Sequence, residues 1–281
     1  MIIRVTLIGI AVQDKQGKYV LDLSPDDFRI LEDGQLQKIL VFHRPEQITG
    51  TCIGILVDHS ASRRNVLPNA EIEPTKQFLD AIVDKSHAAS VMEFNDQRTP
   101  IGTYSNDPAT VDLEMRDVES KRYFSGTDLY DAIEQATLQM SSMQGRRVLV
   151  VIAEGDDNDS RTPRAQAIEA ALKSNAVVYF IQLKSSAQTR DERQVGGFVK
   201  EIVSSTGGEL LSAKNSADIY EAFDAIKGAI SSSYLLAYTP SKHLSEGVHR
   251  LDIKTTRKGV RVIAPTKVYA PMSAATANQE R

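Results

Sequence analysis

Cys52-Ile53-Gly54-Ile55-Leu56-Val57-Asp58-His59-Ser60-Ala61-Ser62 is the stretch on which the fold turns. Residues 52–57 carry no charge, and polarity changes abruptly at Asp58. A run that is apolar on both faces reads as a strand buried on both sides, as in a parallel sheet covered by helices. The pattern recurs at residues 89–94, 147–153 and 177–183, and more weakly at 209–212. Helical periodicity lies between these runs: Leu129, Ile133, Ala136 and Met140 share one face, as do Ile219, Phe223, Ile226 and Ile230. Thr162-Pro163 reads as a cap followed by a proline at a helix start. Gly207-Gly208 reads as a stop after the helix that contains Phe198, Val199 and Ile202. Strands alternating with helices predict a doubly wound, mostly parallel α/β sheet over residues 49–231.

Both flanks read as β. Toward the N-terminus, short runs at residues 5–12, 19–23, 28–31 and 39–42 are separated by turn chemistry. Lys15-Gln16-Gly17 marks one turn. Asp33-Gly34 marks a hairpin, because both residues tolerate positive φ. The N-terminal residues Met1-Ile2-Ile3-Arg4-Val5-Thr6-Leu7 read as a strand already under way, with no basic leader and no clear cleavage site. Toward the C-terminus, residues 234–238, 249–254 and 259–263 are strand-like, punctuated by Pro240 and Gly247. The expectation is that residues 1–48 and 232–270 fold together as a small β-sandwich into which the α/β unit is inserted. Residues 271–281 are small and polar and read as a disordered tail.

The composition excludes several classes. Apolar residues make up 41% and charged residues 25%, the balance of a globular chain. With 33 basic and 37 acidic residues, the formal charge of −4 offers no general field for nucleic acid or an anionic membrane. No apolar stretch approaches the length of a membrane span. The single cysteine, Cys52, has no partner for a disulfide or a zinc pair and reads as a buried strand residue. No glycine-rich phosphate loop is present.

Asp58 falls just past the first strand of the α/β zone, where ligands bind in open sheets. Ser60 and Ser62 follow at alternate positions, so in an extended loop one carboxylate and two hydroxyls face the same point. Such hard oxygen ligands suit Mg²⁺, Mn²⁺ or Ca²⁺. Asp and Ser after a strand equally suit turn closure and helix capping. Gly126-Thr127-Asp128-Leu129 precedes an amphipathic helix, so Thr127 reads as an N-cap or as a further hydroxyl ligand. The apolar run 148–152 leads into Ala153-Glu154-Gly155-Asp156-Asp157, which places acidic side chains on the same rim of the sheet.

Taken together, Asp58-x-Ser60-x-Ser62, Gly126-Thr127-x-Leu129 and an acidic residue with glycine after the later strand resemble the metal-ion-dependent adhesion site of the von Willebrand factor A domain. Residues 23–34 (Leu-Ser-Pro-Asp-Asp-Phe-Arg-Ile-Leu-Glu-Asp-Gly) and 233–240 (Ser-Tyr-Leu-Leu-Ala-Tyr-Thr-Pro) resemble the flanking signatures of bacterial "VWFA-related" proteins catalogued in Acidobacteria. The resemblance spans roughly residues 3–270. It implies a metal-dependent protein-binding module, not an enzyme. Asp58, Ser60, Ser62, Thr127 and Glu154 would surround Mg²⁺ (or Mn²⁺ or Ca²⁺), and an acidic side chain of a protein partner would complete the coordination. It also implies export to the periplasm or the cell exterior. The family usually carries Thr-Asp-Gly where this chain has Ala153-Glu154-Gly155. Glu154 keeps the charge and adds a methylene, which opens the alternative of the same fold with a metal-free site.

Other chemistries fit less well. A Mg²⁺-dependent phosphohydrolase with Asp58 as nucleophile would place Ser60 at the general-acid position, where a hydroxyl cannot protonate a leaving group at neutral pH. As a serine nucleophile, Ser60 lacks the flanking glycines of a nucleophile elbow, and the adjacent His59 is expected to point away from it. The segment from Asp156 lacks an EF-hand's sixth-position glycine, where Arg161 stands, and its closing glutamate, where Ala167 stands. His43, His87, His243 and His249 read as surface or structural residues.

Overall fold

The apolar runs become the strands of a five-stranded sheet in which every neighbouring pair is parallel. A computed structural model describes residues 6–96, 102–120, 126–184, 192–240 and 245–270. The chain begins with β1 (Thr6–Asp14), β2 (Phe28–Glu32), β3 (Gln35–Gln37) and β4 (Ile39–His43). The α/β unit follows as β5 (Thr51–Asp58), α1 (Ile72–Ile82), β6 (His87–Phe94), α2 (Pro108–Ser120), α3 (Leu129–Met140), β7 (Arg146–Ala153), α4 (Arg164–Lys173), β8 (Ala176–Leu183), α5 (Glu192–Thr206), β9 (Leu210–Ala213) and α6 (Ser216–Ser231). The chain then returns to β with β10 (Tyr234–Tyr238), β11 (Gly247–Thr255), β12 (Val260–Ile263) and β13 (Lys267–Ala270).

The parallel sheet runs in the order β6-β5-β7-β8-β9. The order reverses at β5, so the carboxyl ends of β5 and β7 form the crevice where ligands of doubly wound sheets bind. All eight residues of β5 are buried, because helices cover both faces. Ile53, Ile55 and Val57 pack with Phe78, Val111, Met115 and Phe223 of α1, α2 and α6. Leu56, Leu149 and Val151 pack with Ile133, Ala167 and Val199 of α3, α4 and α5. Cys52 lies inside this second layer, and burial pushes its thiol up to about 12 despite the Arg147 charge. It is a core residue, as the sequence indicates.

The flanks make two antiparallel sheets, β12-β1-β10-β4 and β13-β11-β2-β3. They share one core of Ile8, Ile10, Phe28, Ile30, Tyr234, Leu236 and Leu251. Because β10 lies between β1 and β4, the two chain ends meet in one sheet. The Asp33-Gly34 hairpin forms with φ of 48° and 79° at the two residues, which joins β2 to β3.

The structure departs from the sequence reading in places. Residues 19–23 make one bridge, Tyr19 to Gln13, rather than a strand. Part of their backbone is held by a side chain instead: the Tyr234 hydroxyl donates to the Val20 carbonyl at 2.8 Å and accepts from the Leu23 N–H at 3.1 Å. Pro163, not Thr162, occupies the cap position of α4. Thr162 ties α4 to α3 through Glu134, 2.6 Å from its hydroxyl. The four-residue β13 has no counterpart in the sequence reading. It carries the second sheet onto α5, with Lys267 Nζ 2.9 Å from Glu201 Oε1. The N-terminal run 1–5, Ser125, His243 and the tail 271–281 lie outside the described residues.

Arg146 joins the two parts of the molecule. It opens β7 and is buried, and its guanidinium donates to the Ile230 carbonyl at 2.7 Å and to Ser233 Oγ at 3.0 Å. The end of α6 and the entry to β10 are thereby fixed to the central sheet.

Candidate functional site

β5 delivers Asp58 to the switch in strand order as its last residue. The chain then leaves the sheet in an Asx-type turn: Asp58 Oδ1 accepts the Ser60 N–H at 2.8 Å. Ser60 is the cap residue of a short 3-10 turn over Ala61–Asn65, yet its side chain makes no capping bond. Its hydroxyl lies 3.1 Å from that of Ser62. Asp58 and Ser60 are buried, and Ser62 is exposed. Two hydroxyls and one carboxylate are therefore gathered in one loop, with Ser62 on its solvent side.

His59 points away from Ser60, as expected. Its Nδ1 lies 2.9 Å from the Glu93 carboxylate, with both side chains buried. Its N–H donates to the Phe94 carbonyl at 2.9 Å, which fixes the loop to the end of β6. One residue on, the Asn95 carbonyl accepts the Asp128 N–H at 3.2 Å, so the end of β6 also anchors the Thr127 segment.

Thr127 is buried, and it is not the N-cap of α3. Asp128 holds that position without a capping bond. The free N–H groups of the first turn are satisfied from the loop after β7. The Tyr130 N–H meets Asp157 Oδ2 and Ser160 Oγ, each at 3.0 Å, and the Asp131 N–H meets Ser160 Oγ at 3.1 Å. The Thr127 backbone is held by Asn158, whose Oδ1 accepts its N–H at 2.9 Å. Among the described residues, the Thr127 hydroxyl is left without a hydrogen bond. The acidic loop from Asp156, which lacks the EF-hand pattern, is thus a capping loop for α3. The sequence reading missed this role for Asp157, Asn158 and Ser160, because a cap supplied from another loop has no fixed spacing.

Gly126 is required where it stands. A Cβ there would overlap Asp159 Oδ2 and sit 2.6 Å from Asp96 Cβ.

Glu154 follows β7 and is buried, and its Oε1 has no hydrogen-bond partner among the described residues. Burial raises the pKa of Asp58, hydrogen bonds from Ser60 and the charge of Arg63 lower it, and the charge of Glu154 raises it; the balance is upward. Asp58 and Glu154 therefore act on one another across the crevice. Around them the field is negative. Asp128 is raised to about 6, first by burial and then by Asp131, Asp159, Asp157 and Asp96.

Arg63 organises the loop from below. It is fully buried, with one guanidinium nitrogen 2.8 Å from Glu71 Oε2 and 3.3 Å from the Leu67 carbonyl, and the other donating to the Val66 carbonyl. Leu67 and Asn69 adopt positive φ of 48° and 58° in the turn that it holds.

Among the described residues, no group of three or more His, Cys, Asp and Glu side chains is arranged to hold a metal ion. The set at the crevice is of another kind, with hydroxyls in the majority: Asp58, Ser60, Ser62 and Thr127, with Glu154 alongside. Such oxygen donors fit a hard divalent cation. The bare Glu154 Oε1 and the unspent Thr127 hydroxyl fit it too. Among the described residues, no helix is long and apolar enough to cross a membrane.

No protein-family model matches the chain, and no curated protein matches it. Solved structures do. The von Willebrand factor domain of the type V pili tip protein Mfa5 from Porphyromonas gingivalis covers 65% of this chain and 95% of its own, at 10% identity and a TM-score of 0.51. The conserved hypothetical protein BatB from Bacteroides thetaiotaomicron covers 65% of this chain and 100% of its own, at 17% identity and a TM-score of 0.50. Proximal thread matrix protein 1 from the mussel byssus covers 67% of this chain and 47% of its own, at 13% identity and a TM-score of 0.50. At such identities the likeness is one of fold.

Proposed function

Starting from an α/β unit with the von Willebrand factor A fold, we propose that the chain is a protein-binding module whose contact point is a divalent cation at the Asp58 crevice. Asp58, Ser60, Ser62 and Thr127 hold the ion, and Glu154 acts on it directly or through water. Held by these residues, a divalent cation would supply an electrophilic point for a carboxylate of the partner protein. The chain's own residues do the rest. The Asx turn aims the loop, His59–Glu93 and Arg63–Glu71 hold it from beneath, and Asp157 and Ser160 release Thr127 from capping. The chain is a binding module and not an enzyme, and it is exported.

One observation carries this reading: Thr127 is a buried residue just before α3, while Asp157 and Ser160 meet the free N–H groups of that helix. A capping role, the ordinary reason for a threonine before a helix, does not account for it.

The test is a melting curve of the purified chain across a Mg²⁺ and Mn²⁺ series. A cation held only by the folded state stabilises it by about 2.7 kcal/mol at a hundredfold excess over its Kd. We expect a rise in Tm that Asp58→Ala abolishes and Ser62→Ala reduces. If wild type and Asp58→Ala melt alike at every metal concentration, the metal reading fails and the metal-free alternative stands. Turnover of a simple phosphate ester, lost in Asp58→Asn, would replace both with a hydrolase.

A further inference from the structure

The first two helices, on the face of the sheet that also carries α6, leave a groove between them with a cavity of about 140 Å³. That volume suits one long side chain, well short of a drug-sized ligand. Its floor is apolar: Leu79 and Val83 from α1 and its C-terminal end, and Val111 and Met115 from α2, are all buried. Its rim is acidic, with Glu73 and Asp80 from α1 and Asp112 from α2.

The charges of the rim are unequally matched. Among the described residues that line the groove, the cation is Lys76, engaged by Glu119 at 2.9 Å, and Asp112 is met by Arg116 at 2.9 Å. Glu73 and Asp80 form no ion pair among the described residues. Apolar walls beneath unmatched carboxylates suit a group with an aliphatic stem and a cationic head. Lysine and arginine bury their stems on such surfaces while the head stays at the water boundary. An acidic side chain would be repelled, and a purely apolar one would leave the rim charges without a counterpart.

We propose that the α1–α2 groove receives a lysine or arginine side chain of a partner protein, with its stem on Leu79, Val83, Val111 and Met115 and its head at Glu73 and Asp80. This binding is independent of any cation at Asp58.

The test uses the full chain with labelled methyl groups, titrated with a blocked peptide of alternating leucine and lysine. Control peptides carry glutamate or norleucine in place of lysine. The expected result is saturable shifts of the Leu79, Val83, Val111 and Met115 methyls with the lysine peptide alone, unchanged by EDTA. Glu73→Gln and Asp80→Asn should each weaken that binding about 1.5- to fivefold, the range for a single exposed ion pair. Both carboxylates lie at the rim, so the variants keep the fold. Equal shifts with the norleucine or glutamate peptide, indifference to both variants, or no shift at all would overturn the proposal. So would shifts that depend on protein concentration without peptide, since a second copy would then fill the groove.

Discussion

Arg63 shows how much of the crevice depends on a residue that touches no ligand. Its guanidinium is fully buried against Glu71 and two carbonyls of the turn after Ser62. Removing one partner of such a pair leaves an uncompensated buried charge, which costs about 3–5 kcal/mol. Arg63→Met is therefore expected to lower the free energy of unfolding by that amount in urea titrations, and Arg63→Met with Glu71→Leu to recover most of it. A loss below about 1 kcal/mol in the single variant would mean that the pair does not hold the loop. Sequence alone did not single out this arginine. Arg63 and Arg64 stand side by side in one polar run, yet one is fully buried and the other exposed. Asp58, Ser60, Ser62, Thr127 and Glu154 were legible for a different reason: each lies a fixed number of residues past an apolar run or before a helical stripe, so chain position implies place on the sheet. The cap reading of Thr127 fails because Ser160, 30 residues beyond Tyr130, meets the helix N–H groups in its place.

At the scale of elements, short pieces and side-chain ties set the limits of the reading. Long buried runs such as β5 and β7 announce themselves by composition. β13 does not, because four residues after Pro265 are too few to show a period, and what holds them is contact with β11 and α5. The hairpin at Asp33-Gly34 was readable from its turn residues, but its clamp to β11 was not. His249 Nδ1 lies 2.6 Å from Asp33 Oδ2, and its Nε2 lies 2.8 Å from the Ser245 carbonyl. Burial pulls the His249 pKa down, but hydrogen bonds to Asp33 and Ser245 and the charges of Asp33 and Glu32 outweigh it, leaving it above 6.5. The hydrogen bond from His249 is the main cause that holds Asp33 below its ordinary 3.8. The signs fix a window. Stability from a raised histidine is complete below its unfolded value and is lost as pH rises through the folded one. Stability from a depressed aspartate is present above its unfolded value and is lost as pH falls through the folded one. The clamp is therefore strongest between the ordinary values of 3.8 and 6.5. His249→Gln should lower Tm more at pH 5.5 than at pH 8.5, and an equal loss at both would remove the charge from the account.

For the molecule as a whole, topology ties together parts that are far apart in sequence. β10 has β1 on one side and β4 on the other, so the sheet cannot form from either chain end alone. Tyr234 shows the same dependence in side chains: its ring meets Phe28 at 5.6 Å and Phe42 at 5.4 Å, and its hydroxyl bonds Val20 and Leu23. The α/β unit lies between these partners in sequence, and Arg146 fastens its last helix to the entry of β10. The reading that residues 1–48 and 232–270 form one unit around 49–231 thus makes a physical demand. A break near Ile48, in the connection between β4 and β5, removes no hydrogen bond within any sheet. Fragments 1–48 and 49–281 produced together should then assemble and co-purify, because the N-terminal fragment supplies β1 to β4 to an exposed β10 and β11. Produced alone, fragment 49–281 would leave Tyr234, Leu236 and Tyr238 without cover, and such a surface drives association. It should aggregate or melt at lower temperature, and adding the smaller fragment should restore the Tm. A 49–281 fragment that stays monomeric with the Tm of the whole chain would mean that the C-terminal strands are stable on the α/β unit without the N-terminal ones, and the shared sandwich would lose its energetic meaning.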